Sequence, residues 1–484
     1  MEVNKSYFII IFKMSDISKL ILKNKSHQII INEASEISQK EKIDSYIVGG
    51  YVRDCLINKK TVDLDLVVTK DANKFAQLLS KKLNVHKVVP FDKFQTYRIP
   101  YKDFEIEIAQ ARTESYNENS RKPKEVIPTN IIEDLSRRDF TVNAMAVSLN
   151  KNNFGKLIDP YKGLQDLNNG IIKTPLEPNV TFSDDPLRIL RAIRFATQLN
   201  FKIDSETLEG IKKQIKRIKI ISWERITAEI IKILKTDKPS IGFYLLKDVD
   251  LLKYIFPELD IMPGVDVVNG HSHKDVFIHT LEVVDNAANL TDKMKIRFAA
   301  LVHDIAKPQT KKYYKNKGWT FHGHEEIGRR MIRTVAKRMK LSNELRDYLM
   351  ILTKLHLRPI ALAKKNITDR AVRRVMFEAQ ENLDDLMILC RADITTKNSK
   401  KIKQYLKNFE RVEFLMQDVK MRDEMKAFKC PIDGNQIMKL LSLKEGKEIG
   451  KIKGEIETAI LDEKIENTYD SAYKYMMKIK NEIL

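Results

Sequence analysis

The sequence predicts a chain of two characters: an α/β or α+β part over residues 45–150, then a remainder that is almost entirely helical. Three observations carry this. Short β-rich runs ("SYIVGG", "VDLDLVV", "HKVVPF", "TYRIPY", "FEIEIAQ") alternate with helical stretches between 45 and 150. From about residue 183 the strand signal fades, and segments such as "PLRILRAIRFATQL" and "SWERITAEIIKILK" carry apolar residues at helical spacing. At 484 residues the chain is too long for one compact domain, so roughly two to four are expected.

Taken in order, residues 15–42 read as helical, with apolar residues at Ile17, Leu20, Ile21 and Ile29–Ile31. The opening "YFIIIFKM" is too short for a signal-peptide core, and its last residue, Met14, marks 1–13 as an extension upstream of the real start; 1–30 as a whole precede the first domain. Joints are expected near 160–180, 257–270 and 431–434, and there is no tandem repeat or low-complexity tract. No apolar run approaches the roughly 20 residues that span a bilayer, which excludes a membrane-spanning helix. Cys55, Cys390 and Cys430 lie far apart and form neither a disulfide framework nor a CxxC knot, as in a reduced, cytoplasmic protein. Lys and Arg outnumber Asp and Glu by 86 to 66, a net charge of +20 that favours a polyanionic partner, most simply nucleic acid, over the alternative of compositional drift towards Lys.

The chemistry begins in "GGYVRDCLINKKTVDLDLVV", Gly49–Val68. Residues i and i+2 of a strand share a face, so Asp63 and Asp65 project side by side and repel unless a cation lies between them. Mg²⁺ suits such oxygen ligands. A third carboxylate from a neighbouring strand completes the set: Glu107 in "FEIEIAQAR" is the best candidate, with Glu105 on its same face. Such a site aligns a 3′-hydroxyl and a triphosphate for in-line phosphoryl transfer. Gly49 and Gly50 let backbone amides approach phosphate. The plain alternative for Asp-x-Asp is a solvated edge strand, against which the "GGYVRD" just upstream, with Arg53, argues.

Two further segments extend this set. "EDLSRRDFTVNAMA" gathers Asp134, Arg137, Arg138, Asp139 and Asn143 before an apolar ending, which suits a buried, positioned cluster rather than a surface one. In "SDDPLRILRAIRF", Pro186 suits the first helical position and makes Asp185 a candidate N-cap. Asp185 and Arg188 also share a helix face. A carboxylate accepts from the amino group of cytosine or adenine, and a guanidinium donates to the ring nitrogen beside it, so the pair fits C and A and mismatches G and U. Arg191 and Arg194 continue as a basic stripe that meets phosphate or solvent.

On "GGYVRD", "DLDLV", "EDLSRRDFTVNAMA", "IDPYKGLQDL", "DDPLRILRAIRF" and "SWERITAEI", in order over about 45–235, the chain resembles the class II CCA-adding tRNA nucleotidyltransferases of the bacterial tRNA nucleotidyltransferase/poly(A) polymerase family. The resemblance implies an α+β fold: a small mixed-sheet nucleotidyltransferase head (31–160), an all-helical neck (161–256), an HD helical bundle (257–400) and a helical tail (401–484). It implies that Asp63 and Asp65 hold Mg²⁺, that Asp185 and Arg188 read CTP and ATP without a nucleic-acid template, and that Glu224 and Arg225 brace the nucleotide-binding helix. A surface ion pair is the alternative for the last two. The family often has Glu where this chain has Asp184.

Seven of nine histidines fall between 271 and 356, which points to a shared site. His279, His303, Asp304 and Asp393 match the H…HD…D core of the HD phosphohydrolases; His324 and His356 are candidates for a second metal, and His271, His273 and His322 are weaker. Such ligands suit Mn, Fe, Co, Ni or Zn better than Mg. His303 and Asp304 are adjacent, so they need a helix end to aim both at one ion, and Pro308 is the expected terminator. The tail "PIDGNQIMKLLSLKEGKEIG" resembles the family's closing element, with Lys447 where Pro is usual; it and the Lys-rich helices of 396–430 are expected to clasp tRNA.

The expected function is therefore template-independent addition of C, C and A to the tRNA 3′ end from CTP and ATP, with HD phosphohydrolase activity. The partners are tRNA and these nucleotides, not DNA or a membrane; the oligomeric state is open. The alternatives are a poly(A) polymerase or A-adding enzyme, a phosphohydrolase that uses the head only to bind RNA, and a non-catalytic tRNA chaperone.

Overall fold

The β-rich runs of the amino-terminal part assemble into one mixed sheet in the computed structural model, which describes residues 16–59, 63–91, 95–102, 104–116, 123–268, 271–272, 274–363, 367–427, 430–462 and 464–483. The strands are β1 Ser45–Val48, β2 Leu64–Val68, β3 Val89–Phe91, β4 Thr96–Tyr101, β5 Phe104–Gln110, β6 Arg112–Tyr116, β7 Pro123–Pro128, β8 Ala146–Ser148 and β9 Leu157–Ile158. Seven of them form a sheet in the order β3-β4-β5-β2-β1-β8-β9; β6 and β7 pair separately. β1 and β2 are rich in Val, Ile and Leu because they lie at its centre, where Ile47, Leu64, Leu66, Val67 and Val68 are buried. The helices Lys25–Glu41 and Ala72–Lys82 contribute Ile30, Ile31, Phe75 and Leu79 to the same core. β2 runs parallel to β5 and antiparallel to β1, and the parallel register sets Asp65 opposite Glu107. At the far side of β5, the antiparallel register sets Arg98 opposite Glu107.

The segment expected to precede the first domain begins inside it. Ile17 and Ile21 are buried, the Ile17 amide donates to Gly155 O at 2.9 Å, and Asp16 bridges Lys156. The described part of 1–30 is thus part of the head, because its isoleucines fill the sheet's edge. Residues 1–13 lie outside the described residues.

Beyond the sheet the chain is helical, an α+β fold. The neck holds Pro178–Asp184, Leu187–Leu199, Ser205–Gln214, Trp223–Leu234 and Ser240–Asp248; the next bundle holds Val276–Leu290, Met294–Val302, His324–Arg338, Asn343–Leu355 and Leu383–Ala392. Buried Arg297 ties the two: its Nη1 donates to Leu234 O and Thr236 O at 3.0 and 2.9 Å, capping the end of a neck helix from within the bundle. Short strand pairs interrupt the helices where a wholly helical reading had none. Ile171–Ile172 pairs with Lys202–Ile203, and Lys312–Tyr314 forms a hairpin with Gly318–Thr320 around the turn "KNKG".

The chain divides into two compact units, 1–361 with 378–406, and 362–377 with 407–484. Residues 362–377, expected in the bundle, therefore belong with the tail. Within that unit Arg373 pairs with Asp423 at 2.6 Å and Arg422 with Asp369 at 2.6 Å, which holds the segment there. Ile432, Ile437, Ile452, Ile456 and Met476 form its core, and Asp433 and Gln436 make a capping box in "PIDGNQ". Lys447 is the first residue of its helix, the one position where Pro is tolerated, so the departure from the family's Pro is structurally neutral. Among the described residues no helix is long and apolar enough to cross a membrane.

Candidate active site

Asp65 is half-buried on β2, and the exposed Asp63 immediately precedes that strand. Burial, then Glu107, pushes the Asp65 carboxyl up to about 6, with Arg138 opposing and Asp63 adding to the rise. That mutual repulsion among oxygen donors is what a divalent cation relieves, so these residues fit Mg²⁺. Glu107 is engaged by Arg98, whose Nε lies 3.0 Å from its Oε2 and whose Nη1 lies 3.6 Å from Glu105. The three carboxylates are accordingly less tightly convergent than the ligand clusters of the helical bundle. Above them Gly49 starts the helix Gly50–Leu56 at φ +71°; a Cβ there would meet Arg138 Nη1 at 3.0 Å and Asp65 at 3.9 Å.

The "RRD" segment is a buried polar frame, as its apolar ending suggested. Asp134 is fully buried. Its carboxylate accepts from Arg137 Nη2 at 2.6 Å and Arg138 Nη2 at 3.1 Å. Burial alone would raise its pKa, but Arg138 and Arg137 bring it below the usual value. Arg138 is thereby fixed between Asp134 and the Asp65 carboxylate, and its buried Nε has no acceptor. Arg53 Nη1 donates to Asn143 Oδ1 at 2.6 Å and Asn143 Nδ2 to Asp139 Oδ1 at 3.0 Å; Asp139 in turn accepts from Arg191 Nε at 2.8 Å. Burial opposes ionisation of Asp139, yet Arg191 and Asn143 hold it down at about 2.

The stripe expected along Leu187–Leu199 is instead two ion pairs that brace the helix. Arg191 reaches Asp139, and Arg194 Nε pairs with Glu229 Oε2 at 2.6 Å, both sites being largely buried. The i+3 spacing put both arginines on one side but could not say that carboxylates from other elements would meet them. Asp185 lies one residue before the position expected of a cap: the helix starts at Leu187, with Pro186 at its N-cap. Its Oδ1 nonetheless accepts from the Leu187 amide at 3.1 Å, while Oδ2 accepts from Arg225 Nη2 at 3.0 Å. Arg225 therefore braces the helix. Glu224 is exposed, and no described residue pairs with it, so it makes neither the brace nor the surface pair. The bracing carboxylate of that helix is Glu229, missed in the sequence although a lone acid in the apolar run "ITAEIIKIL" was its signal. Arg188 Nη2 donates to Arg137 O at 2.6 Å and Nη1 to Thr181 O at 3.4 Å, and no ion pair joins it to Asp185.

In the bundle, the helix Met294–Val302 ends just before His303 and Asp304, and the turn aims both at one centre. Pro308 does not stop that helix; it lies in the first turn of the next, Lys307–Thr310. His279 Nε2 is 3.0 Å from Asp393 Oδ1 and 3.5 Å from Asp304 Oδ2; His303 Nε2 is 3.2 Å from Asp304 Oδ2. The other Asp304 oxygen, Oδ1, faces His324 Nε2 at 3.3 Å and His356 Nε2 at 3.7 Å. Every imidazole is fixed through Nδ1: His303 to Ala300 O, His324 to Phe321 O, His356 to Thr353 O, and His279 to Thr395 Oγ1, which leaves each Nε2 for the centre. Buried His303 Nε2 and Asp304 Oδ1 have no hydrogen-bond partner. Two donor sets result, His279–His303–Asp393 and Asp304–His324–His356, each within 4.8 Å. Burial would raise the Asp304 pKa, but His303 and Lys307 hold it well below its usual value; burial, with His303, lowers His356 to about 4. A buried carboxylate and imidazoles that turn Nε2 to one centre, with His303 Nε2 and Asp304 Oδ1 unpartnered, fit a transition metal. Among the described residues His322 joins neither set; His273 and the side chain of His271 lie outside the described residues.

Residues 45–173 match the poly A polymerase head domain, 200–262 the probable RNA and SrmB-binding site of polymerase A, and 276–398 the HD domain. The chain is 32% identical over 364 residues to the multifunctional CCA protein of Tolumonas auensis, covering 72% of this chain and 83% of that protein. It is 34% identical over 320 residues to that of Psychromonas ingrahamii, covering 64% and 74%. Among solved structures it superposes on a tRNA nucleotidyltransferase complexed with a primer tRNA and an incoming ATP analog (TM-score 0.57, 26% identity, 79% of this chain and 99% of that one). It also superposes on an apo CCA-adding enzyme (TM-score 0.59, 22% identity, 96% and 98%).

Proposed function

The chain belongs to the family of the multifunctional CCA proteins, the CCA-adding tRNA nucleotidyltransferases, and on that premise we propose that it adds C, C and A to the 3′ end of tRNA from CTP and ATP, without a template, through the head and neck residues just described. The observation that carries this is the parallel register of β2 and β5, which sets Asp65 beside Glu107 with Asp63 adjacent. Mg²⁺ held by Asp63 and Asp65 would supply charge stabilisation for the transferring phosphoryl group. Glu107, itself held by Arg98, would be the third carboxylate of the site. Arg138, clamped by Asp134, keeps its Nη1 against Gly49, where it would meet a phosphate. Gly49 and Gly50 keep that side open to backbone approach. Asp185 offers an acceptor and Arg188 a donor to the Watson–Crick edge of C or A, and the frame of Arg53, Asn143, Asp139, Arg191, Arg194, Glu229 and Arg225 holds that helix in place. Nothing in this frame needs a template strand.

The bundle is proposed as a second, independent hydrolytic site. A transition metal such as Mn, Ni, Co, Fe or Zn there would activate water against a phosphate ester. His279, His303, Asp304 and Asp393 would hold it, and the second Asp304 oxygen with His324 and His356 a further ion. A 2′,3′-cyclic or terminal phosphate on damaged tRNA is the substrate that links this site to the head, since its removal exposes the end to be extended.

Incubation with tRNA ending at the discriminator base, Mg²⁺ and each nucleotide singly and paired, followed by 3′-end sequencing, tests the reading. CC with CTP alone and CCA with CTP and ATP are expected. Adenylate only on CC-ended tRNA, or a long A tract, would replace it with A addition or poly(A) synthesis.

A further inference from the structure

The neck carries a concave site that the chemistry above does not use. A cavity of about 350 Å³ is lined by Lys59, Arg194, Gln198, Lys232, Lys235 and Asp237 among others. Lys59 comes from the head, just beyond the helix Gly50–Leu56. Arg194 and Gln198 come from one turn of Leu187–Leu199, and the remaining lysines from the end of Trp223–Leu234. Four cations thus face one rim carboxylate. Behind them Glu229 is already shared by Arg194 and by Lys232, whose Nζ lies 3.1 Å away.

The ordinary explanation for Lys232 and Lys235 is that they complement a helix C-terminus. It accounts for neither Lys59 nor Arg194. Arg194 is only 7% exposed and is rigidly mounted: Nε on Glu229 at 2.6 Å, Nη1 on Gln198 at 2.9 Å, and the guanidinium carbon 3.7 Å from the centre of the Phe195 ring. No described residue bonds its Nη2, and the guanidinium lies in the cavity wall. Burial pushes the Arg194 pKa down despite Glu229, so a further anion is favourable there. Lys59 and Lys235 are exposed and unpaired among the described residues. Arg194 lies six residues from Arg188 on one helix, about 9 Å along its axis and about 120° round it, which is within about two nucleotides of a base held by Asp185 and Arg188.

We propose that this cavity is a phosphate subsite, filled during nucleotide addition by a backbone phosphate near the RNA 3′ end or by the phosphate chain of the incoming nucleotide. The inference rests on the head reading for the identity of those partners. A fixed, buried guanidinium gives the site a directional donor, and Lys59, Lys235 and the Glu229-paired Lys232 surround the charge.

The test is the triple variant Lys59→Ala, Lys232→Ala, Lys235→Ala beside its Lys→Arg counterpart. KM for CCA-less tRNA and for CTP, and tRNA retention on filters across a salt series, are measured in each. For an RNA phosphate, the alanine variant raises the tRNA KM at least fivefold, leaves the CTP KM in place, and flattens the log–log salt slope by about 1.4 to 2.7, as expected for two or three lost contacts. The arginine variant restores both. For a nucleotide phosphate, the CTP KM rises instead and the salt slope for tRNA holds. A folded alanine variant that matches the wild type in both KM values and in salt slope overturns the subsite. Failure of the wild type to add any nucleotide would overturn the head reading instead, and filter binding would still test the cavity.

Discussion

Replacing Asp65 by Asn should abolish nucleotide transfer yet stabilise the metal-free head above pH 6. Folding raises this carboxyl from 3.8 to about 6, by burial and then by Glu107. An acid whose pKa rises on folding opposes the fold when ionised. The penalty is absent below the unfolded value near 4, grows between 4 and 6, and is constant above 6. A rise of that size corresponds to about 3 kcal/mol, and partial exposure reduces it to about 1–2 kcal/mol. Asn removes the charge at nearly constant shape, so the variant should gain that amount at pH 7.5 in EDTA and only a few tenths at pH 4. Saturating Mg²⁺ should close the gap by stabilising the wild type alone. Hydrogen exchange of the Leu64–Val68 amides across a urea series reports the head separately from the other units. A variant that is less stable than the wild type by the same amount at both pH values would refute the electrostatic argument. Near-normal turnover would refute the role of Asp65 in holding Mg²⁺.

Asp139→Asn should cost about 2 kcal/mol at pH 7, read as faster exchange in Leu187–Leu199. Its pKa is depressed by Arg191, so the cost should hold above pH 4 and shrink between 4 and 2, where the wild-type carboxylate is itself protonated. Arg188→Ala should lose discrimination against UTP and GTP as well as speed; unchanged misincorporation in a folded variant would make Arg188 a structural link between Arg137 and Thr181 only. The double change His303→Ala, Asp304→Ala should remove transition-metal-dependent phosphatase or phosphodiesterase activity and leave addition to intact tRNA within about twofold. Loss of addition in a folded double variant would mean that the two sites are not independent.

The sequence by itself determined what is local. The alternation of "DLDLV" placed two aspartates two residues apart, and "FEIEI" supplied a third acid with the same parity. The spacing put Asp185 next to Arg188, and Arg191 next to Arg194, and the clustering of histidines announced a second centre. These follow from the periods of strand and helix, which any short stretch of chain carries. Tertiary structure decided which groups meet. Asp65 lies opposite Glu107 because β2 and β5 pair in parallel across an intervening helix and hairpin, and no local pattern encodes that register. Arg191 and Arg194 turned out to be braces because Asp139 and Glu229 arrive from 52 and 35 residues away, whereas Glu224, the acid that motif comparison favoured, faces solvent. Asp304 turns Oδ2 to His279 and His303 and Oδ1 to His324 and His356 because those histidines arrive from separate helices. A buried charge must find its partner wherever the fold supplies one, so the identity of that partner is a property of the packed core rather than of the segment that carries the charge.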